Sequence, residues 1–240
     1  MSGEAIPGGR RHARHHAKPP APIAQPRRAS ISPLTVKRLS LYLRCLEQLA
    51  EDGRATVSSQ QLADALGLTA AQVRKDLGYF GQFGRRGVGY HVDDLVRRLR
   101  GIFGTDEVWN VAVVGVGSLG RALLGYKGFL KKGFRLAAAF DSAPGKIGRT
   151  FGGVTVRAMA HLPSAVKRQR LRLAILAVPV EAAQEVADAI CDAGIKAILN
   201  FVPATLTVAE DIAVIPVDLA VQLEQLSYLV NAPAGGRRAR

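Results

Sequence analysis

The chain has 240 residues, 48% of them hydrophobic, enough to bury the core of one large domain or of two modest ones. Its formal charge is +14, and residues 1–104, with 17 Lys/Arg against 8 Asp/Glu, carry +9 of that excess. Such a balance suits a polyanionic partner, because each neutralised phosphate releases condensed counterions, although basic tails also serve as plain solubilising segments. Cys45 and Cys191 lie far apart and outside any CxxC or Cys/His cluster, and no apolar run reaches the roughly 18–20 residues of a membrane helix. These features exclude a disulfide framework, a cysteine-based metal centre and a membrane-spanning helix. With no signal-peptide pattern at the N-terminus, they predict a cytoplasmic protein.

Residues 1–31 are rich in Pro, Gly, Ala, Arg and His with almost nothing large to bury, which predicts a disordered basic arm. His12, His15 and His16 could bind a metal there, but no carboxylate or thiol sits nearby, so a solvated basic tract is expected and no metal is assigned. The basic tail, 233–240, reads the same way.

Order is expected from Ser32-Pro33, a capping residue followed by proline at the first helical position. Leu39, Tyr42, Leu43, Leu46, Leu49 and Ala50 then mark one face of a helix ending near Gly53. Ser58 and Gln61 stand in capping-box spacing at the start of a second helix that stops at Gly67. Thr69 and Gln72 repeat that spacing for a third, with Val73, Leu77 and Phe80 turned inward. Arg74, Lys75, Gly78 and Tyr79 are left on other faces, the arrangement of a recognition helix. The segment GQFGRRGVGYHV, with Arg85 and Arg86 at its tip, predicts a β-hairpin wing able to straddle a phosphate backbone or enter a minor groove. Residues 32–104 therefore read as a winged-helix DNA-binding domain that closes with a linking helix bearing Val92, Leu95, Val96 and Leu99. A small helical dimerisation domain with a basic surface is the alternative.

A β-branched strand, VWNVAVVGVG, runs directly into Gly115, Val116, Gly117, Ser118, Leu119 and Gly120. In such a GxGxxG turn the first glycine permits the bend, the second lets backbone N–H groups approach a pyrophosphate, and the third lets helix and strand pack closely. A second strand, FRLAAAF, ends in Asp141 about 20 residues beyond the last glycine, where a carboxylate accepts hydrogen bonds from adenosine ribose hydroxyls. Asp141 would repel a 2′-phosphate, so NAD(H) is expected over NADP(H), with Lys146 and Arg149 within reach on the following loop. DSAPG also suits an Asx turn at Asp141, and both roles can hold together. Further βα alternation predicts a Rossmann-like doubly wound parallel sheet over residues 105–217, whose strand ends Val178-Pro179 and Asn200-Phe201 open on the same crevice.

Catalysis by this domain is not expected. A nicotinamide dehydrogenase needs a substrate pocket and a group that moves the hydroxyl proton, yet only about 20 residues remain beyond the sheet. Three of the five histidines lie in the arm, His91 follows the wing and His161 sits in a connector, which leaves Tyr126 and Lys127 as acid/base candidates.

The runs QVRKDLGYFGQFGRRGVGY, GRALLGYKGF, FDSAPGKIG, ILNFVP and VDLAVQLEQLSYLV together resemble the bacterial redox-sensing transcriptional repressor family Rex over residues about 32–232. The resemblance implies a homodimer that binds palindromic operator DNA with NAD⁺ or an empty site and leaves it when NADH binds, without acting as an enzyme. It implies that residues 218–232 form a helix exchanged between subunits, on which Leu219, Leu223, Leu226 and Val230 give an apolar stripe. It places Arg74, Lys75, Arg85 and Arg86 at the DNA, to which the reading of the third helix's faces adds Tyr79, and it couples Tyr126, Asp218 of the second chain and Arg44 as the sensing set. From the residues alone Arg44 is only a charge on the polar face of the first helix. The long arm and Gly78 depart from the family pattern. The alternatives are an NAD-dependent oxidoreductase with an accessory DNA-binding domain, a CoA-binding module, against which Asp141 argues, and a plain structural dimer with a basic face.

Overall fold

The computed structural model describes residues 31–84 and 87–231; the expected arm up to residue 30 with its histidines, Arg85, Arg86 and the 233–240 tail lie outside the described residues. The chain divides into two compact units, Met1–His91 and Val92–Arg240. The helix expected to close the first domain at residue 104 therefore groups with the second unit.

In the first unit, α1 (Pro33–Glu51) starts where expected: Pro33 occupies the first turn and the Ser32 hydroxyl accepts from the Thr35 N–H at 3.2 Å. Strand β1 (Thr56–Val57) leads to α2 (Ser59–Leu66), whose full capping box joins Ser58 and Gln61 and whose end is a left-handed Gly67. Helix α3 (Ala70–Gly78) begins at Thr69, but only half of the expected second box forms. The Thr69 hydroxyl accepts from the Gln72 N–H, while the Gln72 amide turns away and donates to the Asp76 carboxylate at 2.7 Å, a charged and therefore stronger acceptor. Leu39, Tyr42, Leu46, Leu62, Val73 and Leu77 bury to form this unit's core.

Arg85 and Arg86, the tip of the expected wing, lie outside the described residues; no strand occurs among the described residues from 81 to 88, and β2 (Tyr90–His91), which follows them, pairs antiparallel with β1. Gly81, Gly87 and Gly89 all have positive φ, a region that favours glycine.

The second unit opens with α4 (Val92–Phe103) and then alternates β3 (Trp109–Val114), α5 (Ser118–Gly125), α6 (Gly128–Lys131), β4 (Phe134–Asp141), β5 (Thr150–Phe151), β6 (Val154–Ala158), α7 (Leu162–Gln169), β7 (Leu173–Leu176), α8 (Ala183–Asp192), β8 (Ala197–Asn200) and β9 (Ala213–Pro216), before α9 (Leu219–Asn231). The sheet runs β5-β6-β4-β3-β7-β8-β9, parallel except for β5 at one edge. Its parallel strands follow the order of a doubly wound dinucleotide fold, with the direction of winding reversing between β3 and β7. Two apolar layers cover the faces: one around Phe140, Leu162, Leu176 and Ile190, the other around Val111, Val113, Leu124 and Val156. No helix among the described residues is long and apolar enough to cross a membrane.

Candidate functional site

The carboxyl ends of β3 and β7 bring the glycine loop against residues Ala177 and Val178. Gly115 has φ +94°, and a Cβ there would strike the Ala177 carbonyl and come within 2.9 Å of Val178 Cγ1. At Gly120 a Cβ would strike the Gly115 carbonyl, so α5 leaves the loop at its closest possible approach to the strand. Gly117 caps α5 and has open space where a side chain would be, beside the unpaired N–H groups that every helix start leaves for an anion. Ser118 and Leu119 are exposed on the first turn, whereas the Val116 side chain is buried in the core. Val178 is partly buried and Pro179 starts a 3-10 turn over Val180–Ala182.

Asp141, at the end of β4, is only 7% exposed and accepts three hydrogen bonds. Oδ2 accepts from the Val116 N–H and from Lys146 Nζ, each at 2.8 Å, and Oδ1 accepts from the Ala143 N–H at 2.8 Å, closing the Asx turn. Burial alone would raise its pKa, but the bonds from Lys146, Ala143 and Val116 outweigh it and hold the carboxyl below the usual carboxylate range. The carboxylate thus ties the glycine loop to the turn after β4. Asn200 is 2% exposed, and its amide is likewise engaged internally: Oδ1 accepts from the Val202 N–H and Nδ2 donates to the Ala204 carbonyl. These bonds brace the 200–204 loop at the carboxyl end of β8.

Tyr126 terminates α5 with its ring 61% exposed, edge-on to Phe129 at 5.1 Å and lying over Gly128, where any Cβ would strike it. Asp218 caps α9, its Oδ1 accepting from the N–H groups of Ala220 at 2.9 Å and Val221 at 3.3 Å. No residue of α9 is buried, and Leu219, Leu223, Leu226, Tyr228, Leu229 and Val230 are all exposed.

In the first unit, Arg74, Lys75 and Tyr79 are exposed on α3 as expected, and Arg44 is exposed on α1. Arg74 is held by its Nη1 donating to Ser59 Oγ at 3.0 Å. It lines a groove of about 770 Å³ between α3 and the 81–90 loop, together with Gly78, Gln82, Phe83 and Tyr90. Beneath α3 lies a residue that helical periodicity did not single out. Asp76 is 0% exposed and accepts from Arg38 Nε at 2.6 Å, Arg38 Nη2 at 2.8 Å, Tyr42 Oη at 2.8 Å and Gln72 Nε2 at 2.7 Å. A lone carboxylate among the inward positions Val73, Leu77 and Phe80 is the signal that such a partner exists. Among the described residues no group of three or more His, Cys, Asp or Glu could hold a metal ion.

Family models match both units: one described as a putative DNA-binding protein N-terminus over residues 30–78, and one described as a CoA binding domain over residues 106–204. The redox-sensing transcriptional repressor Rex of Chloroflexus aurantiacus is 43% identical over 195 residues, covering 81% of this chain and 92% of that protein. The chain belongs to the Rex family. Two solved structures of RSP, a Rex-family repressor, agree. RSP in complex with β-NAD⁺ and operator DNA has a TM-score of 0.80 at 37% identity, over 84% of this chain and 93% of that one. RSP in complex with β-NADH has a TM-score of 0.77 at 36% identity, over 84% and 95%. The CoA-binding description fits within this picture, because the strand, glycine loop and helix it matches are the same elements that build the Rex nucleotide unit here.

Proposed function

We propose that this chain is a redox-sensing transcriptional repressor that binds operator DNA as a homodimer and releases it when NADH replaces NAD⁺. The observation that carries this reading is the pair of RSP structures, one with β-NAD⁺ and operator DNA and one with β-NADH, matched across more than nine-tenths of the RSP chain. The chemistry of this chain's own residues supports it. Arg74, Lys75 and Tyr79 stand outward on a short helix, suited to phosphates and base edges, with Arg85 and Arg86 assigned to the DNA by the family resemblance. The open space at Gly117 and the first turn of α5 suit a pyrophosphate, with Val178 and Pro179 beside them and Asp141 and Lys146 at the ribose.

The dinucleotide is a signal here and not a reagent. NAD⁺ carries a cationic planar nicotinamide and NADH a neutral puckered one, so a pocket containing Tyr126 holds the two differently. Arg44, Tyr126 and Asp218 of the second copy form the coupling set by family resemblance. Loss of the Asp218 to Arg44 contact on NADH binding spoils the half-site spacing of a palindromic operator. A coupling of about 1–3 kcal/mol gives roughly 5- to 150-fold in operator affinity. The fully exposed apolar α9 supports the dimer, since a helix with this much bare Leu and Val needs a covering surface, and exchange between subunits supplies it.

The test is a gel shift on a short palindromic AT-rich duplex titrated with each cofactor. NADH releases the duplex and NAD⁺ does not; equal behaviour of the two sinks the reading. The match to a CoA binding domain makes CoA the specific competitor, and a thermal shift with NADH but not CoA sets it aside.

A further inference from the structure

Arg74 and Lys75 read DNA only if α3 presents them at one fixed angle, and apolar packing by itself does not fix an angle. Val73, Leu77 and Phe80 are buried, but hydrophobic contact is non-directional and a helix of nine residues can roll over it. The directional contact is Asp76. A carboxylate offers about four acceptor positions, and four donors fill them: Arg38 Nε and Nη2 as a bidentate fork, Tyr42 Oη, and Gln72 Nε2. Arg38 and Tyr42 are four residues apart and share one face of α1, so the clamp fixes both the roll and the register of α3 against α1. It is itself anchored: Arg38 Nη2 also donates to Thr35 Oγ1 at 3.1 Å, and that hydroxyl lies 3.1 Å from the Ser32 hydroxyl that caps α1. A buried ion pair adds little net stability over apolar packing of the same volume, so geometry is the better account of why one stands here.

We propose that Asp76 is the positioning residue of the recognition helix, and that through Arg38 and Tyr42 it aims Arg74 and Lys75 at the base edges of the operator. This rests on the reading that the N-terminal unit binds operator DNA. The same clamp makes α1 and α3 move as one body. Arg44, which lies on α1 away from the face that holds Arg38 and Tyr42, therefore passes any displacement directly to α3.

The test uses the full chain, a duplex selected by the wild-type protein from a random pool, and a scrambled duplex of equal length and composition. Asp76→Asn keeps the volume and removes the charge that holds the fork. The expected result is a tenfold or greater fall in the ratio of selected to scrambled affinity, with scrambled-duplex and NADH affinities changed less than twofold. A helix that was merely destabilised would lose both DNA affinities in parallel as the folded fraction fell, leaving the ratio intact. Tyr42→Phe and Gln72→Leu each remove one of the four bonds and carry the measurement if Asp76→Asn does not fold; each should lower the ratio severalfold. A ratio within twofold of wild type in the folded variants overturns the proposal. Failure of the wild-type chain to prefer any selected duplex overturns the operator reading itself, a result distinct from failure of the clamp.

Discussion

Lys146 Nζ sits 2.8 Å from Asp141 Oδ2, the oxygen that also accepts the Val116 N–H of the glycine loop. A ribose hydroxyl reaching this carboxylate finds Oδ2 taken and one acceptor position left on Oδ1, beside a positive charge. Asp141→Ala should therefore weaken NADH binding in two ways, by removing the acceptor and by freeing the glycine loop. Hydrogen bonds to a charged group contribute roughly 1.5–3 kcal/mol, which corresponds to about 10- to 150-fold in Kd. Lys146→Met should sharpen discrimination against NADPH, because the uncompensated carboxylate repels a 2′-phosphate more strongly. Fluorescence titrations of both variants with NADH and NADPH check this, and an unchanged NADPH-to-NADH ratio in Lys146→Met contradicts it.

Gly128 gives a second handle on the nucleotide unit. A methyl group there collides with the Tyr126 ring, which supplies its three nearest atoms, so Gly128→Ala should displace that ring from its edge-on contact with Phe129 while leaving the fold intact. NADH affinity should shift severalfold with Tm unchanged within a degree or two. If Tyr126→Phe and Gly128→Ala both leave the titration as in wild type, Tyr126 does not belong to the cofactor site.

Acid should loosen both units. Burial raises the Asp76 pKa, but hydrogen bonds from Arg38, Tyr42 and Gln72 overcome it and leave the carboxyl below its ordinary value; Asp141 is lowered through Lys146, Ala143 and Val116. Each folded group then binds fewer protons than its unfolded counterpart. The stabilisation is fully present above the unfolded value of about 3.9 and is lost as pH falls through the lower folded values. Thermal melts from neutral pH downward should hold to about pH 5 and then decline. A Tm that rises below that point contradicts the assignment.

The bare apolar face of α9 predicts the oligomer. Leu223→Arg with Leu226→Arg places two charges on a surface that a second copy must cover, and light scattering should report a shift toward monomer. Operator affinity should fall with it, because a single head contacts one half-site. A dimer that survives both substitutions puts its interface elsewhere.

The helix caps and the glycine loop were legible in the sequence because each is a local device. Ser32-Pro33, the Ser58/Gln61 box and Gly67 act within one turn, and Gly115 and Gly120 are dictated by backbone clearance at a single bend. What was not legible depends on partners distant in the chain. Strands β5 and β6 were not among those expected: they are short, flank Gly152-Gly153, and owe their existence to the edge that β4 offers. The pairing of Tyr90–His91 with Thr56–Val57 joins residues more than 30 positions apart. Asp76 and Arg38 are separated by 38 residues, and Asp141 and Asn200 reveal their occupied hydrogen bonds only once the loops around them are in place.

The central claim is that the dinucleotide is read and not consumed. It is tested most directly by adding NADH to the chain bound to a fluorescent operator duplex while following duplex anisotropy and nicotinamide absorbance together. Anisotropy should fall along a saturable curve, recover on adding excess NAD⁺, and leave the NADH absorbance constant throughout. An anisotropy indifferent to NADH, or an absorbance that decays steadily when small alcohols, aldehydes or keto acids are supplied, would contradict the account.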